Sequence, residues 1–525
     1  MKKKKNKALN FKKPNLKTIL ISLFLLMCLH FITHLPNLTR QPLFGDEAIY
    51  IRWAQIIQEN PKEWLFVPNT DGKQPFFMWL NAFLTIPLFN DPVYAGRLVS
   101  VLASSLTLIA IFILSMLLFS WHCAIFSALF YIFSPYHLFY SRMALVDTLL
   151  GTFAILTMLF TLLLMEKRHI VWALGIGICI GCAFLTKSPG MFLFLPAFLS
   201  IFIFKKQKSL GIWLYLLFAF VVAASLISIN FFSPQKPIIT EAGSILHHKS
   251  FFVFSNLSLE TPKIWLRNFI SLGKYIHFSF PYLFIPFLLF AVYRMFRHHS
   301  NKDLFLGVFS LLPMTVIALI GTSPFTRYYL FALLSLFIIL GEIVVFLKAK
   351  WLISSFLVLP CLYLDFFLVF SFDKAHLPYG EKNLQNPFTN ISGYCGFGSK
   401  DALLFLKENV KDKVILFLPT DWGCPSDYLF MYLKDDKRFT IYEAWWWPNR
   451  INRVIPEAKS VEMALSKYQQ KKAGLLYPED LKEKEVWFVT TSISIGQSYF
   501  LSQNPEFELV QSFYSVDIYR KRKEK

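Results

Sequence analysis

Long apolar runs, separated by short polar or basic turns, dominate the first 371 residues of the chain. A helix needs about 20 apolar residues to cross the ~30 Å hydrocarbon core of a bilayer. The first run follows a basic head and has no Ala-x-Ala-like cleavage site, which favours a retained helix over a signal peptide. We predict about eleven spans, or up to thirteen, near residues 18–34, 97–119, 122–140, 146–165, 170–186, 189–204, 211–232, 277–296, 303–321, 326–347 and 351–371.

Basic residues predict the orientation of these spans. Residues 1–17 carry eight lysines and no acid, and other basic groups lie at 166–169, 205–208, 294–302 and 348–350. If the N-terminus is cytoplasmic, alternation of the spans places all these groups on the cytoplasmic side, as the positive-inside rule requires. The outer side then receives the polar stretches 35–94, 140–147, 186–189, 233–276 and 323–327, and everything after residue 373.

Composition agrees with this topology. The 525 residues are 55% hydrophobic and 16% charged, which is typical of a polytopic α-helical membrane protein. The net charge of +20 lies in the terminal segment and short turns, while the aromatic residues lie in the spans. This distribution argues against a nucleic-acid partner.

From about residue 372 the composition becomes that of a water-soluble domain. Segments 413–418, 438–442, 485–490 and 507–519 have strand character, and 400–408 and 460–471 have helical character, which predicts an α/β domain. The domains expected are a basic cytoplasmic segment (1–17), a transmembrane domain (18–371) with an external loop at 35–94, and an extracytoplasmic α/β domain (372–525). The last would either bind an acceptor or cover the site. Its Cys395 and Cys424 could form a disulfide in an oxidising compartment, or remain thiols.

Two polar motifs in the external loop could carry chemistry. Asp46 and Glu47 form an acid pair suited to a general base or a metal ligand, although Asp46 would also serve as the N-cap of an amphipathic helix. Lys73 precedes a proline and several aromatic residues. It could neutralise a phosphate there, or snorkel at the membrane interface.

Further charges lie at the predicted outer ends of later spans. Arg142 and Asp147 are costly there unless they are used or pair with each other. Lys187 and Arg327 add two cations on the same side. Two carboxylates facing several cations at one membrane surface suit a reaction that deprotonates an acceptor and expels a phosphate.

These motifs, taken in order, resemble those of the C-type integral-membrane glycosyltransferases. Within that class, this chain most resembles the family that includes aminoarabinose transferases and protein O-mannosyltransferases. The resemblance rests on 45–50 (GDEAIY), 73–75 (KQP), 94–100 (YAGRLVS), 143–147 (MALVD) and 184–190 (FLTKSPG). It implies inverting transfer of a monosaccharide from a polyprenyl-phosphate carrier in the membrane lipid. The acceptor would be a lipid, glycan or protein on the outer face of a bacterial inner membrane.

The resemblance also implies roles for single residues. Asp46 would be the base that activates the acceptor hydroxyl, supported by Glu47. Lys73 would hold the carrier phosphate together with Arg327 and Tyr328. The remaining polar positions that match the family are Arg97, Arg142, Asp147 and Lys187. No cofactor is implied with certainty, and a divalent ion, if the reaction uses one, would lie on Asp46 and Glu47.

Two other functions remain open at this point. An oligosaccharyltransferase with a lipid-pyrophosphate donor would need a metal site and an external Trp-Trp-Asp motif, whereas 445–448 reads WWWP with no aspartate after it. A secondary transporter or lipid flippase would place ionisable groups near the bilayer midplane and often contains repeats. Here the charges lie at the outer ends of spans, and no internal repeat is visible.

Overall fold

The computed structural model describes residues 14–204, 210–233, 253–255, 257–279, 293, 300–322, 324–347, 350–372, 396–419, 423–445, 453–456, 485–491 and 497–521. Up to residue 372 the described regular structure is almost wholly helical, which satisfies backbone polar groups within each segment where water is absent. The helices are α1 (Leu16–His34), α2 (Gly45–Glu59), α3 (Pro61–Trp64), α4 (Phe76–Leu80), α5 (Pro92–Leu118), α6 (Trp121–Ile132), α7 (Pro135–Ser141), α8 (Val146–Lys167), α9 (Ile170–Thr186), α10 (Phe194–Ile203), α11 (Leu210–Ser228), α12 (Thr261–Ser279), α13 (Asn301–Ile320), α14 (Leu334–Phe346) and α15 (Lys350–Phe370).

Five of the described helices are long and apolar enough to cross a membrane: α1, α5, α8, the continuous segment Leu210–Phe232, and α13. Two bent pairs raise this number to seven if each counts as one span. They are α6 with α7, bent by 63°, and the 3₁₀ turn Thr326–Ala332 with α14, bent by 57°. The predicted spans 122–140 and 326–347 therefore each contain a break. The chain is thus an integral membrane protein, and the total of eleven spans stays a prediction.

Several sequence predictions fall on other parts of the chain. Most of the predicted span 277–296, the helix 460–471, Cys395 and residues 446–448 lie outside the described residues. The proposed Cys395–Cys424 disulfide is therefore not tested.

The predicted external loop 35–94 is largely helical. Helix α2 is buried from Gly45 to Ile57 and packs against α4 and α5. Gly96 of α5 allows this close approach, because a Cβ atom at that position would lie 2.6 Å from Cγ1 of Ile51. The segment that carries the acid pair is thus a rigid, buried helix held against a membrane span.

The C-terminal part contains a six-stranded mixed sheet with the strand order β3-β2-β1-β4-β6-β5. Central β1 is parallel to β2 and β4, and the outer strands pair antiparallel. All six residues of β1 are buried, as expected for a parallel strand covered on both faces. The elements are α16 (Ser399–Asn409), β1 (Val414–Pro419), α17 (Ser426–Leu433), β2 (Phe439–Trp445), β3 (Arg453–Pro456), β4 (Val486–Thr491), α18 (Gln497–Gln503), β5 (Glu508–Phe513) and β6 (Val516–Lys521).

One predicted strand is wrong in extent. The segment 507–519 forms two strands, β5 and β6, because the chain reverses at Tyr514, whose φ is +52°. This sheet packs onto the membrane part through α17, which contacts α2. Tyr432 donates its hydroxyl to Asp91 Oδ1 at 2.7 Å, and the Gly396 N–H donates to the Leu43 carbonyl at 2.7 Å. The second contact lies two residues before α2 begins.

Candidate active site

The acid pair lies in the first turn of α2, where the exposed N–H groups and the helix dipole favour negative charge. Consecutive residues of an α-helix point about 100° apart, so two adjacent carboxylates can have different partners. Glu47 turns back and accepts the Phe44 N–H at 2.9 Å. Asp46 points toward another part of the molecule, and the two acids have different environments.

Glu47 forms a fully buried ion pair with Arg97 of α5. Arg97 donates Nε to Oε1 at 2.9 Å and Nη2 to Oε2 at 3.0 Å, and both side chains have 0% exposure. Glu47 Oε1 also accepts the Ala144 N–H at 2.6 Å. The remaining N–H groups of Arg97 donate to backbone carbonyls of the segment before α2, namely Leu38, Gln41 and Pro42. This arrangement fixes the start of α2 against α5 and the turn before α8.

Asp46 lies between two cations from distant parts of the chain. Arg327 Nη2 is 2.7 Å from Asp46 Oδ2, and Lys73 Nζ is 3.7 Å from Oδ1. Burial acts to raise the pKa of Asp46, but the charges of Lys73 and Arg327 outweigh it and hold the pKa below its ordinary value. Asp46 is therefore ionised and poised between two groups that could also bind an anion.

Asp147 and Lys187 extend this cluster. Lys187 Nζ donates to Asp147 Oδ1 at 2.6 Å, and Arg327 Nε lies 3.8 Å from Asp147 Oδ2. Lys187 also sits 3.9 Å from the centre of the Tyr328 ring, a cation–π contact. The structure thus brings together Lys73, Asp46, Arg327, Asp147 and Lys187 in one continuous network.

Arg142 is not part of this network, and the suggested Arg142–Asp147 pair is wrong. The guanidinium donates to the carbonyls of His34 at 2.6 Å, Pro36 at 2.8 Å and Asn37 at 3.1 Å. It therefore closes the C-terminal end of α1, where backbone carbonyls lack intrahelical partners. Its role in the described structure is to hold α1 in place.

The loop that carries Lys73 contacts helix α2 and the turn after Lys187. Lys73 Nζ lies 3.5 Å from Asp71 Oδ2 and 5.3 Å from the centre of the Tyr50 ring. Burial acts to lower the pKa of Lys73, but Asp46 and Tyr50 outweigh it and raise the pKa above its ordinary value. The next residue, Gln74, donates to Ser188 Oγ at 2.7 Å, which links this loop to the turn after Lys187.

Three residues of the site received no role from the sequence. Tyr50 lies one turn after Asp46 on α2, and this i, i+4 spacing was a visible signal that both face the site. Asp71 lies two residues before Lys73 in the same loop. Phe44 stacks under the Arg327 guanidinium at 5.0 Å, and nothing in the sequence indicated that contact.

A divalent ion does not fit the acid pair. Both oxygens of Glu47 accept hydrogen bonds from Arg97, and each oxygen of Asp46 faces a cation. An ion between Asp46 and Glu47 would have to displace these positive groups. Within the ranges that the structure describes, no group of three or more His, Cys, Asp or Glu side chains is arranged to hold a metal.

Solved structures provide a comparison for the whole fold. The chain is similar to ArnT from Cupriavidus metallidurans, with a TM-score of 0.64 to the form bound to undecaprenyl phosphate and 0.58 to the apo state. Identity is 14% in both cases. The matches cover 97% and 96% of this chain and 99% and 98% of ArnT, respectively. The apo oligosaccharyltransferase of Archaeoglobus fulgidus, 12% identical over 92% of this chain and 71% of that one, has a TM-score of 0.49.

The helical membrane fold is that of the C-type integral-membrane glycosyltransferases. Residues 72–229 match the family model described as dolichyl-phosphate-mannose-protein mannosyltransferase. No curated protein matches the chain in sequence. The predicted resemblance to this class is confirmed, and the chain is a glycosyltransferase.

Proposed function

We propose that this enzyme transfers a monosaccharide from a polyprenyl-phosphate carrier to a hydroxyl of a lipid, glycan or protein. The reaction would occur on the outer face of a bacterial inner membrane. The observation that carries the proposal is Asp46, an ionised carboxylate held between Lys73 and Arg327. The name of the matching family model and the undecaprenyl phosphate bound to ArnT support this choice of carrier.

In this mechanism Asp46 removes the proton of the acceptor hydroxyl as its oxygen attacks the anomeric carbon of the sugar. The bond between that carbon and the phosphate oxygen breaks, and the carrier phosphate keeps the electron pair. Attack from the side opposite the leaving group inverts the sugar carbon. The phosphate needs no proton to leave if cations stabilise its growing charge. Lys73 and Arg327, assisted by Tyr328, are the groups proposed to do so.

Binding of the donor would also activate the base. With Arg327 bonded to it, Asp46 has a lowered pKa and is a weak base. A phosphate that enters the cluster competes with Asp46 and Asp147 for the same cations, since all of them are anions. Asp46 thereby loses stabilising charge, and its basicity rises only when the donor is in place. In the free enzyme, Asp46 and Asp147 thus pair with the cations that would bind the donor phosphate.

The fully buried polar groups have a positioning role in this proposal. Glu47 supports Asp46 by fixing the first turn of α2 to Arg97 and not by touching the reacting atoms. Arg142 holds the end of α1, and Asp147 orients Lys187. Lys187 lies over the ring of Tyr328 and adds a third positive charge to the cluster.

The decisive experiment measures transfer of labelled sugar from a panel of synthetic carriers in membranes. It compares the unaltered enzyme with Asp46→Asn and with Asp412→Asn, which removes an exposed acid in the turn before β1. Loss of a general base lowers the rate by about 10²–10⁴-fold, so Asp46→Asn should be nearly inactive and Asp412→Asn normal. Equal transfer by Asp46→Asn would remove that residue from catalysis. Labelling only from lipid-pyrophosphate donors would favour the oligosaccharyltransferase alternative.

A second measurement tests the phosphate clamp. Lys73→Ala should weaken binding of the carrier phosphate, whereas Asp46→Asn should leave the carrier bound, because it removes no cation. Equilibrium binding of a fluorescent polyprenyl phosphate to the purified variants separates the two effects. Unchanged affinity in Lys73→Ala would exclude Lys73 from the clamp.

A further inference from the structure

Helix α12 lies outside the catalytic cluster and is fixed to the end of α13 by its polar side chains. Trp265 Nε1 donates to the Leu319 carbonyl at 2.9 Å. Asn268 Nδ2 donates to the carbonyls of Ala318 at 2.9 Å and Gly321 at 2.7 Å. These acceptors are at the C-terminal end of a membrane-spanning helix, where carbonyls lack partners within the helix. Helix α12 is therefore attached at a membrane surface, on the same side as Arg327.

A second face of α12 is apolar and exposed. Leu266 is 63% exposed, Ile270 52% and Phe269 40%. At 100° per residue these three side chains fall within about 100° of one another, beside the face that packs on α13. Just before the helix, Leu257 and Leu259 are also 63% and 97% exposed. An exposed apolar helix face of this kind indicates contact with a membrane or another molecule.

A third face is basic. Lys263, Arg267 and Lys274 lie within about 40° of one another around the helix, and all three are exposed. Helix α12 contains no acidic residue, and Glu260, just before it, pairs with Lys263 at 2.8 Å. An exposed apolar face next to a basic face is the pattern of helices that lie in the membrane–water interface.

We propose that α12 docks onto the bilayer surface and prefers anionic phospholipid. Leu266, Phe269 and Ile270 enter the boundary of the acyl chains, while Lys263, Arg267 and Lys274 bind the phosphate-bearing headgroups. The complementary charge of the basic face selects an anionic lipid surface as the occupant. Arg267 also donates Nη2 to the Thr322 carbonyl at 2.6 Å, five residues before Arg327. The docked helix thus holds the chain that enters the Arg327 turn at a fixed depth.

Site-directed spin labelling of the full-length protein in nanodiscs tests the apolar contact. Gly273 suits the label, because a Cβ atom there meets no other atom within 4 Å. Gly273→Cys is compared with Asp412→Cys, and the unaltered chain, treated with the same reagent, corrects for native cysteines. Accessibility to oxygen and to a water-soluble nickel complex should place the label at 273 in the interface and the label at 412 in water. Equal, water-like accessibility at both sites would overturn the docking.

The charge preference has its own test. Lys263→Gln/Lys274→Gln is compared with Lys411→Gln/Lys413→Gln, which removes the same charge from an exposed turn before β1. Each lysine near an anionic surface changes the ratio of docked to undocked helix about fivefold. In phosphatidylcholine discs containing phosphatidylglycerol, the α12 variant should therefore bring the label at 273 nearer to water, and the control should not. The same depth with and without phosphatidylglycerol would overturn the preference for anionic lipid. Neither readout depends on transfer activity.

Discussion

Replacing Glu47 by Gln keeps the size of the side chain and removes the charge that Arg97 requires. The carboxylate accepts two hydrogen bonds from Arg97 and one each from the N–H groups of Phe44 and Ala144. A Gln amide has one oxygen and one NH₂ group, so it cannot accept on both sides. The variant leaves the Arg97 guanidinium buried without a counter-charge.

The size of the effect follows from the burial of this pair. Both side chains have 0% exposure. Removing one partner of a buried ion pair typically costs about 3–5 kcal/mol of folding free energy. The change Asp46→Asn should cost less for two reasons. The Lys73 side chain is 32% exposed and can be solvated by water, and Arg327 keeps Asp147 as a counter-charge at 3.8 Å. We therefore expect Glu47→Gln to be the less stable of the two variants, although the residues are adjacent.

Thermal unfolding of the purified protein in one detergent, followed by tryptophan fluorescence at a fixed scan rate, measures this difference. The apparent midpoint should fall clearly for Glu47→Gln and little for Asp46→Asn. The double variant Glu47→Gln/Arg97→Gln should recover part of the loss, since it removes the uncompensated charge. A midpoint for Glu47→Gln equal to that of the unaltered chain would refute the positioning role. A stable but inactive Glu47→Gln would indicate a chemical role instead.

Two further predictions concern the cluster around Arg327. Because the cations hold the pKa of Asp46 below its ordinary value of 3.8, kcat/KM should not fall from protonation of Asp46 until the pH drops below that value. Arg327→Gln should move this acid limb to higher pH, and an unmoved limb would contradict the assignment. The ion pair likewise stabilises the fold above pH 3.8, and this contribution is lost as the pH falls through the lowered pKa. The change Tyr136→Phe removes the hydroxyl that donates to the Thr326 carbonyl at 2.5 Å. Loss of this hydrogen bond costs about 0.5–1.5 kcal/mol. If the bond positions Arg327, carrier binding should weaken roughly two- to tenfold in an equilibrium titration. Unchanged affinity would show that the bond does not position Arg327.

The positions of charged residues at the predicted outer ends of spans identified members of the cluster but did not show which charges pair. Asp147, Lys187 and Arg327 were selected because charges at the ends of apolar spans are costly unless they are used. The partner of each charge depends on how helices far apart in sequence pack. Arg142, five residues from Asp147, donates instead to the end of α1, and Asp147 pairs with Lys187 of the turn after α9. Spacing along the chain carries no information about such contacts.

The two breaks in the membrane helices also differ in how far the sequence could predict them. Pro135 lacks an N–H group and disfavours helix before it, so the bend between α6 and α7 has a visible cause in the sequence. The bend between the Arg327 turn and α14 has no proline, and tertiary contacts such as the bond from Ser310 Oγ to the Ala332 carbonyl hold that turn. The first break could be predicted, whereas the second required the packed structure.

The contact between Gly396 and Leu43 joins the sheet domain to the segment that leads into the proposed catalytic centre. Beside it, Gly423 lies so close to Gly45 that an added Cβ atom would be 3.1 Å from the Gly45 Cα. The backbone just before Asp46 is therefore covered by residues that come about 350 to 380 positions later in the chain. A version shortened after α15 would lose that cover and expose α2. Any exchange of this domain for another would have to transfer both glycine contacts with it.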